Sequence, residues 1–311
     1  MHIALTGATG FIGRRLQQAL LHLRHRLTAL VRPAQHQRRP ELLTGIEQLP
    51  FDQLDCAAWR DLLDREDAPE AVILLAGAVR GRTFQQFARV NERPFTALAY
   101  ALEGLTAPPR LLLMSSLAAT QPSLSPYAAS KRAGEVALSA RSVTVLRPPA
   151  VYGPGDRELA GLFQTIRRGW VPRPGPVDQR ICFLHVDDLA NAVVAWLQCA
   201  PGQDDLDQTF TLHDGAPNGY SWPEIAAAIA PHKHARILPV PKALLHAVGT
   251  ANLLAATALR YAPMLTPGKA RELGYPRWLC DNRAFTEATG WEPAVDLATG
   301  TARLRNETND D

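Results

Sequence analysis

Over residues 1–150, short apolar runs alternate with longer segments whose apolar positions recur every three or four residues. His2–Thr6 and Leu27–Val31 are two such runs, and Phe11–Leu23 between them carries helical spacing. Ala71–Ala76, Leu111–Met114 and Val143–Leu146 repeat the theme, each after a longer amphipathic stretch. Runs of this length are too short for helices and fit strands covered on both faces. Their βαβα order predicts an α/β fold with a parallel, doubly wound sheet.

The pattern changes after Gly153. Pro and Gly crowd residues 153–176 and 215–223, and helical spacing returns over 158–168, 187–198, 221–230 and 241–261. Val186–Gln198 predicts one more helix on the sheet; the rest predicts a smaller, mostly helical lobe. Ala243 to Tyr261 is apolar and about as long as a bilayer is thick. It also contains His246, Gly249, Thr250, Asn252 and Thr257 and ends against Pro263, so a buried or lid helix is expected and no stable membrane span. Asn306–Asp311 is polar and expected to fray.

The chain has 311 residues, 46% hydrophobic and 20% charged, which excludes wholesale disorder and allows one large domain or two. Thirty-three Lys and Arg against thirty Asp and Glu leave +3, too small an excess to point to nucleic acid. Cys56, Cys182, Cys199 and Cys280 lie far apart with no CxxC pair, so reduced thiols in the cytoplasm are expected and no metal site. The N-terminus opens directly into a strand, without a basic-then-apolar leader.

Thr6-Gly7-Ala8-Thr9-Gly10-Phe11-Ile12-Gly13 follows the first strand. Gly7 permits a tight turn, Gly10 lets backbone approach a pyrophosphate, and Gly13 lets the helix pack closely on its strand. Between a strand and a helix, that triplet is a strong dinucleotide signal. The second strand ends in Val31-Arg32-Pro33, and no carboxylate precedes Glu41. A carboxylate there would bind the ribose hydroxyls of NAD. Arg32 instead favours the 2′-phosphate of NADP, with Arg38 or Arg39 as helpers; NAD stays open.

Ser125-Pro126-Tyr127-Ala128-Ala129-Ser130-Lys131 opens a later helix. Tyr127 and Lys131, four apart, share one face. The lysine ammonium is expected to lower the phenol's pKa toward neutrality and make it a general acid or base. Leu111-Leu112-Leu113-Met114-Ser115-Ser116 ends a strand in two hydroxyls, eleven residues before Tyr127. Ligands of doubly wound sheets bind beyond such strand ends, which puts Ser116 beside a reacting oxygen.

Together these residues resemble the extended short-chain dehydrogenase/reductases, the NAD-dependent epimerase/dehydratase family, over nearly the whole chain. Further landmarks stand in order: Asp52, Leu75-Ala76-Gly77, Val90-Asn91, the stretch Leu146-Arg147-Pro148-Pro149-Ala150-Val151-Tyr152-Gly153-Pro154-Gly155, and His185-Val186-Asp187-Asp188. The resemblance implies a Rossmann-type domain over 1–152, with 184–213 returning to it, and a substrate lobe from 153–183 and 214–311. It implies Ser116, Tyr127 and Lys131 as catalytic residues. Cofactor contacts would come from Gly7, Thr9, Gly10, Phe11, Ile12, Arg32, Asp52, Gln53, Leu75, Ala76, Gly77, Pro149 and Val151, besides Tyr127 and Lys131. Asn91 would support the nicotinamide end, and His185 would be structural. A homodimer through about 84–104 and 126–140 is likewise implied by analogy.

Departures narrow the reaction. Leu117-Ala118-Ala119 lacks the acidic pair of sugar dehydratases and, at Leu117, the third hydroxyl of many epimerases. Ala150 and Ile181 stand where those epimerases grip a nucleotide with Asn and Arg, although Arg180 is adjacent. Arg147-Pro148-Pro149 and Leu265-Thr266-Pro267-Gly268-Lys269 look more like the dihydroflavonol-reductase and 3β-hydroxysteroid-dehydrogenase side of the family. The lobe is apolar and aromatic at Trp222, Leu244, Leu245, Leu253, Leu254, Tyr261, Met264 and Trp278, expected mainly as its core and partly as a pocket wall. The expected activity is NADPH-dependent reduction of a ketone or aldehyde, or oxidation of a secondary alcohol, on a moderately hydrophobic small molecule. A nucleotide-sugar epimerase and a non-catalytic dinucleotide-binding scaffold or sensor are the alternatives. Leu117→Ser is expected to be tolerated, because a strand-end hydroxyl can reach water.

Overall fold

The computed structural model describes residues 1–36, 42–200 and 206–307. Its strands are β1 (His2–Thr6), β2 (Arg26–Val31), β3 (Glu47–Pro50), β4 (Ala71–Leu74), β5 (Arg110–Met114), β6 (Thr144–Arg147), β7 (Ala150–Tyr152), β8 (Trp170–Arg173), β9 (Arg180–Ile181), β10 (Phe183–His185), β11 (Thr209–Thr211), β12 (Arg236–Pro239) and β13 (Arg277–Trp278). The helices are α1 (Phe11–His22), α2 (Pro33–His36), α3 (Cys56–Leu63), α4 (Phe84–Asn91), α5 (Arg93–Ala101), α6 (Pro126–Ala137), α7 (Ala160–Arg167), α8 (Val186–Gln198), α9 (Trp222–Ile229), α10 (Lys242–Leu259), α11 (Pro267–Leu273), α12 (Arg283–Thr289) and α13 (Leu297–Glu307). A 3-10 turn, Leu117–Thr120, follows β5.

Seven strands form one parallel sheet in the order β11-β6-β5-β4-β1-β2-β3. Side chains alternate across a strand, so each strand feeds two cores. Ile3, Leu5, Ile73, Leu112 and Met114 pack on one face under Leu16 and Leu20 of α1 and Leu189, Val193 and Trp196 of α8. Ala4, Val72, Leu74, Leu111 and Leu113 face the other way, under Trp59 and Leu62 of α3 and Phe95 and Leu98 of α5. Burial on both faces explains why these strands are continuously apolar in sequence.

A third core gathers Tyr152, Phe163, Ile166, Val171, Phe183, Trp222, Ile225 and Leu297, outside the main sheet. Around it, β7 pairs with β10, β8 with β12 and β9 with β13. These strands are two to four residues long, too short to leave a period in the sequence. Three expectations need correction. The fourth strand stops at Leu74, because Leu75 and Ala76 already turn toward the glycine loop. α10 is not buried: only Gly249 and Ala256 are, and Leu244, Leu254 and Tyr261 are exposed instead of forming lobe core. α13 carries Asn306 and Glu307 as helix, and 308–311 lie outside the described residues, as do Arg38 and Arg39.

Candidate active site

The chain leaves β1 for β2 and β3 on one side and crosses to β4 on the other, so the loops after β1 and β4 part at a switch point. Gly7, with φ +70°, fills that gap: a Cβ there would lie 2.7 Å from the Ala76 nitrogen and 2.8 Å from the Leu75 carbonyl carbon. A Cβ on Gly13 would lie 2.3 Å from the Gly7 oxygen, so α1 can meet its strand only with glycine there. Thr6 Oγ1 accepts from the Ala76 N–H at 3.1 Å and locks the two loops together. Gly10 caps α1 without a side chain, leaving the turn between Thr9 and Ile12 as bare backbone at a helix N-terminus. That cradle fits a dinucleotide pyrophosphate.

Around it, Phe11 and Ile12 are half-buried and Gly77 is exposed. The register of Thr6 on Leu30 sets Arg32, exposed just past β2, alongside the glycine turn. Asp52 is exposed and its Oδ1 accepts from Leu54 N at 3.0 Å, while the buried Gln53 gives its carbonyl to the Trp59 indole at 3.0 Å. Pro149 and Val151 are half-buried, and the adjoining Pro148 carbonyl accepts from Leu117 N at 2.8 Å, beside the end of β5.

Two adjacent serines there diverge, as neighbours on an extended chain must. Ser115 turns inward and donates to Glu135. Ser116 starts the 3-10 turn, accepting from Ala118 N at 3.2 Å, and its hydroxyl lies close enough to the Tyr127 phenol to pull the phenol's pKa down. Lys131 is buried, with Nζ donating to the Met114 carbonyl at 3.0 Å and 3.1 Å from where a Gly77 Cβ would be. Ser116 and Lys131 thus meet Tyr127 at the carboxyl ends of β4 and β5, the same end of the sheet as the glycine turn.

α6 is held from three sides. Glu135, buried, accepts from Arg147 Nε at 2.8 Å and Nη2 at 2.6 Å, and from Arg132 at 2.9 Å, tying the helix to β6. Asn91, fully buried, donates from Nδ2 to the Ala78 carbonyl at 3.0 Å and to Ser130 Oγ at 2.9 Å, and accepts from Ala78 N at 2.8 Å. Ser125 caps α6 through Ala128 N at 3.0 Å and donates to the buried Glu272 of α11. Lys269, bonded to Glu272 at 2.9 Å, lies 5.9 Å over the Tyr127 ring, and Phe87 meets the ring edge-on at 5.9 Å. Glu135, Ser125, Lys269 and Glu272 went unassigned from sequence. Glu135, one turn beyond Lys131, carried a helical-pair signal; the α11 contacts join residues too far apart to leave one.

Burial sets the proton affinities. It pushes the Tyr127 phenol up to about 12, with Ser116 opposing and Glu272 adding to the rise. It pushes the Lys131 amine down to about 8, which Glu135 partly offsets. The expected lowering of the phenol by Lys131 is therefore not found: desolvation sets the direction, and Ser116 rather than the amine opposes it. Leu117 also differs from expectation. It is buried against Cys182 and Cys280, so a serine hydroxyl there would not reach water. His185 caps α8, accepting from Asp187 N at 3.3 Å, and burial lowers its pKa against Asp187 and Asp188, as suits a structural residue. Arg180 is engaged by Glu224. Among the described residues, no group of three His, Cys, Asp or Glu side chains could hold a metal.

A doubly wound sheet with a glycine cradle at its switch point defines an NAD(P)-dependent α/β enzyme of the extended short-chain dehydrogenase/reductase type. The chain belongs to the NAD dependent epimerase/dehydratase family, whose model matches residues 3–206. It is 38% identical to the ceramide reductase of Caulobacter vibrioides over 295 residues, 92% of this chain and 88% of that one. It is 24% identical to the 2-alkyl-3-oxoalkanoate reductase of Stenotrophomonas maltophilia, over 98% of each chain. Among solved structures, UDP-glucuronic acid 4-epimerase from Bacillus cereus, in complex with UDP-glucuronic acid and NAD, superposes with a TM-score of 0.70. That match covers 100% of this chain and 99% of the other at 19% identity, a likeness of fold.

Proposed function

We propose that this chain is an NADPH-dependent reductase that turns a ketone flanked by apolar chains into the secondary alcohol. One observation carries the reading: the half-buried Tyr127 phenol stands near Ser116 and one helical turn from the buried Lys131, whose amine reaches the end of β5, and desolvation keeps the phenol protonated at neutral pH. That is the form needed to donate to a carbonyl oxygen as negative charge grows on it. Ser116, fixed by Ala118 N–H, would present its hydroxyl to the same oxygen. Lys131 keeps its charge below about pH 8 and would hold the nicotinamide ribose. The bound nicotinamide dinucleotide supplies the hydride. Gly7, Thr9, Gly10, Phe11 and Ile12 would hold the pyrophosphate. Asp52, Gln53, Leu75, Ala76, Gly77, Pro149 and Val151 would line the remaining cofactor contacts. Arg32 would receive the 2′-phosphate, which supports NADPH over NADH.

One of the two reductases above is named for ceramide and the other for a 2-alkyl-3-oxoalkanoate, which supports a lipid-like carbonyl compound as the substrate class. A nucleotide-sugar epimerase would need cations for a diphosphate, and both Arg180 and Lys269 are committed to carboxylates, those of Glu224 and Glu272. The four free thiols support a reducing, cytoplasmic setting. Pairing through α4, α5 and α6 is the assembly favoured, with Tyr100 and Val136 exposed there. The test follows NADPH consumption with 3-oxo lipids against short ketones and nucleotide sugars. Turnover rising with chain length is expected. Inversion of a sugar without net cofactor consumption, or no turnover of any carbonyl, would reject the reading.

A further inference from the structure

The outer face of α10 is inverted. A helix on the surface of a soluble protein shows polar residues to water, yet Leu244, Ala247, Val248, Ala251, Leu254, Ala255, Ala258 and Leu259 all face outward and exposed. They span an arc of about 140° along about 23 Å of helix. Leu254 is 67% and Leu259 75% exposed, and Leu238 and Tyr261 add exposed apolar surface at the two ends.

The opposite stripe is fixed to the protein. A Cβ on Gly249 would lie 2.8 Å from the Thr266 carbonyl carbon, Asn252 Nδ2 donates to the Leu265 carbonyl at 2.7 Å, and the Ala256 carbonyl accepts from Arg82 at 3.3 Å. Although α10 has the length and hydropathy to cross a bilayer, spanning one would tear these contacts. A helix held this way can only lie flat on an interface.

Charge says which interface. Between Glu224 and Glu272 the chain carries no Asp or Glu, but six Lys and Arg: Lys233, Arg236, Lys242, Arg260, Lys269 and Arg271. Lys242 and Arg260 bracket α10 and are exposed. An apolar helix face framed by cations and free of acids is the chemistry of binding in the plane of an anionic lipid surface. α10 rests on α11, and a Cβ on Gly268 of α11 would lie 2.8 Å from Ser125 Cβ, at the start of the helix that carries Tyr127.

We propose that α10 docks this protein on an anionic membrane surface, apolar face down, which brings the Tyr127 crevice next to the bilayer. This goes beyond the reductase reading and stands apart from it, since docking needs no turnover.

The test is flotation of the whole protein with vesicles of phosphatidylcholine and phosphatidylglycerol in equal parts, or of phosphatidylcholine alone. The protein should rise with the anionic vesicles, less so as salt is raised. Leu254→Glu should cut its partition by about tenfold or more, and Leu244→Glu with Leu254→Glu should abolish it. Both variants should keep the parent melting temperature and the parent turnover of a short soluble ketone. Failure of the parent to bind anionic vesicles would overturn the proposal, as would equal binding to neutral ones or a Leu254→Glu variant that binds like the parent. If light scattering shows a dimer that Leu254→Glu splits, without vesicle binding by the parent, the face is covered by a second copy and the membrane proposal falls.

Discussion

Arg147→Met removes the bidentate partner of Glu135. The carboxylate side chain is 4% exposed and Arg147 16%, so both charges are desolvated. Burial by itself would raise the Glu135 carboxyl, but Arg147, Ser115 and Arg132 outweigh it and hold the group below its ordinary value. After the substitution only Ser115 and the half-exposed Arg132 remain, and an exposed ion pair contributes little. Stranding a buried carboxylate costs about 3 kcal/mol, or about 5 °C in melting temperature for a chain of this size. Urea titration of Arg147→Met, Glu135→Gln and the double variant measures it. The double variant should be more stable than the sum of the single losses predicts, with a coupling of about 2 kcal/mol. The sign with pH is fixed as well. A carboxyl whose folded pKa is depressed stabilises above its unfolded pKa and loses that contribution as pH falls through the folded one, so the gap between parent and Arg147→Met should narrow on acidification. Strictly additive losses, or a gap that widens in acid, would refute the reasoning.

Lys131, lowered to about 8, should give ketone reduction an alkaline limb near pH 8, while Tyr127, at about 12, contributes none there. Glu135→Gln removes the charge that raises Lys131, so that limb should move to lower pH. Leu117→Ser, buried against Cys182 and Cys280, should cost about 3 kcal/mol in urea melts, and a neutral effect would contradict the packing. Arg32→Asp should reverse the preference between NADPH and NADH in kcat/KM; unchanged selectivity would move the 2′-phosphate contact elsewhere.

Much of this was legible because it is local. The glycine turn, the strand before it and the helix after it are contiguous, and Gly7 and Gly13 are required by backbone contact. The spacing of Tyr127 and Lys131 likewise lies within one helix. What could not be read depends on partners distant in sequence. Ser115 and Ser116 look alike until Glu135 claims the first. Leu117 looks like a strand end until Cys182 and Cys280 close over it. α10 reads as a buried or lid helix in the sequence, and its burial fails because mean hydropathy reports how apolar a helix is, not which way the apolar face points. The amine's effect on the phenol was overestimated because spacing says nothing of desolvation.

The central claim is that the Tyr127 proton is delivered to the substrate oxygen in the Ser116–Lys131 crevice. Single-turnover reduction by Tyr127→Phe, with NADPH binding measured separately by fluorescence titration, tests it most directly. NADPH affinity should stay close to the parent's, and the chemical step should slow on the order of a hundredfold or more. A variant that binds NADPH and reduces the ketone at the parent rate would contradict it.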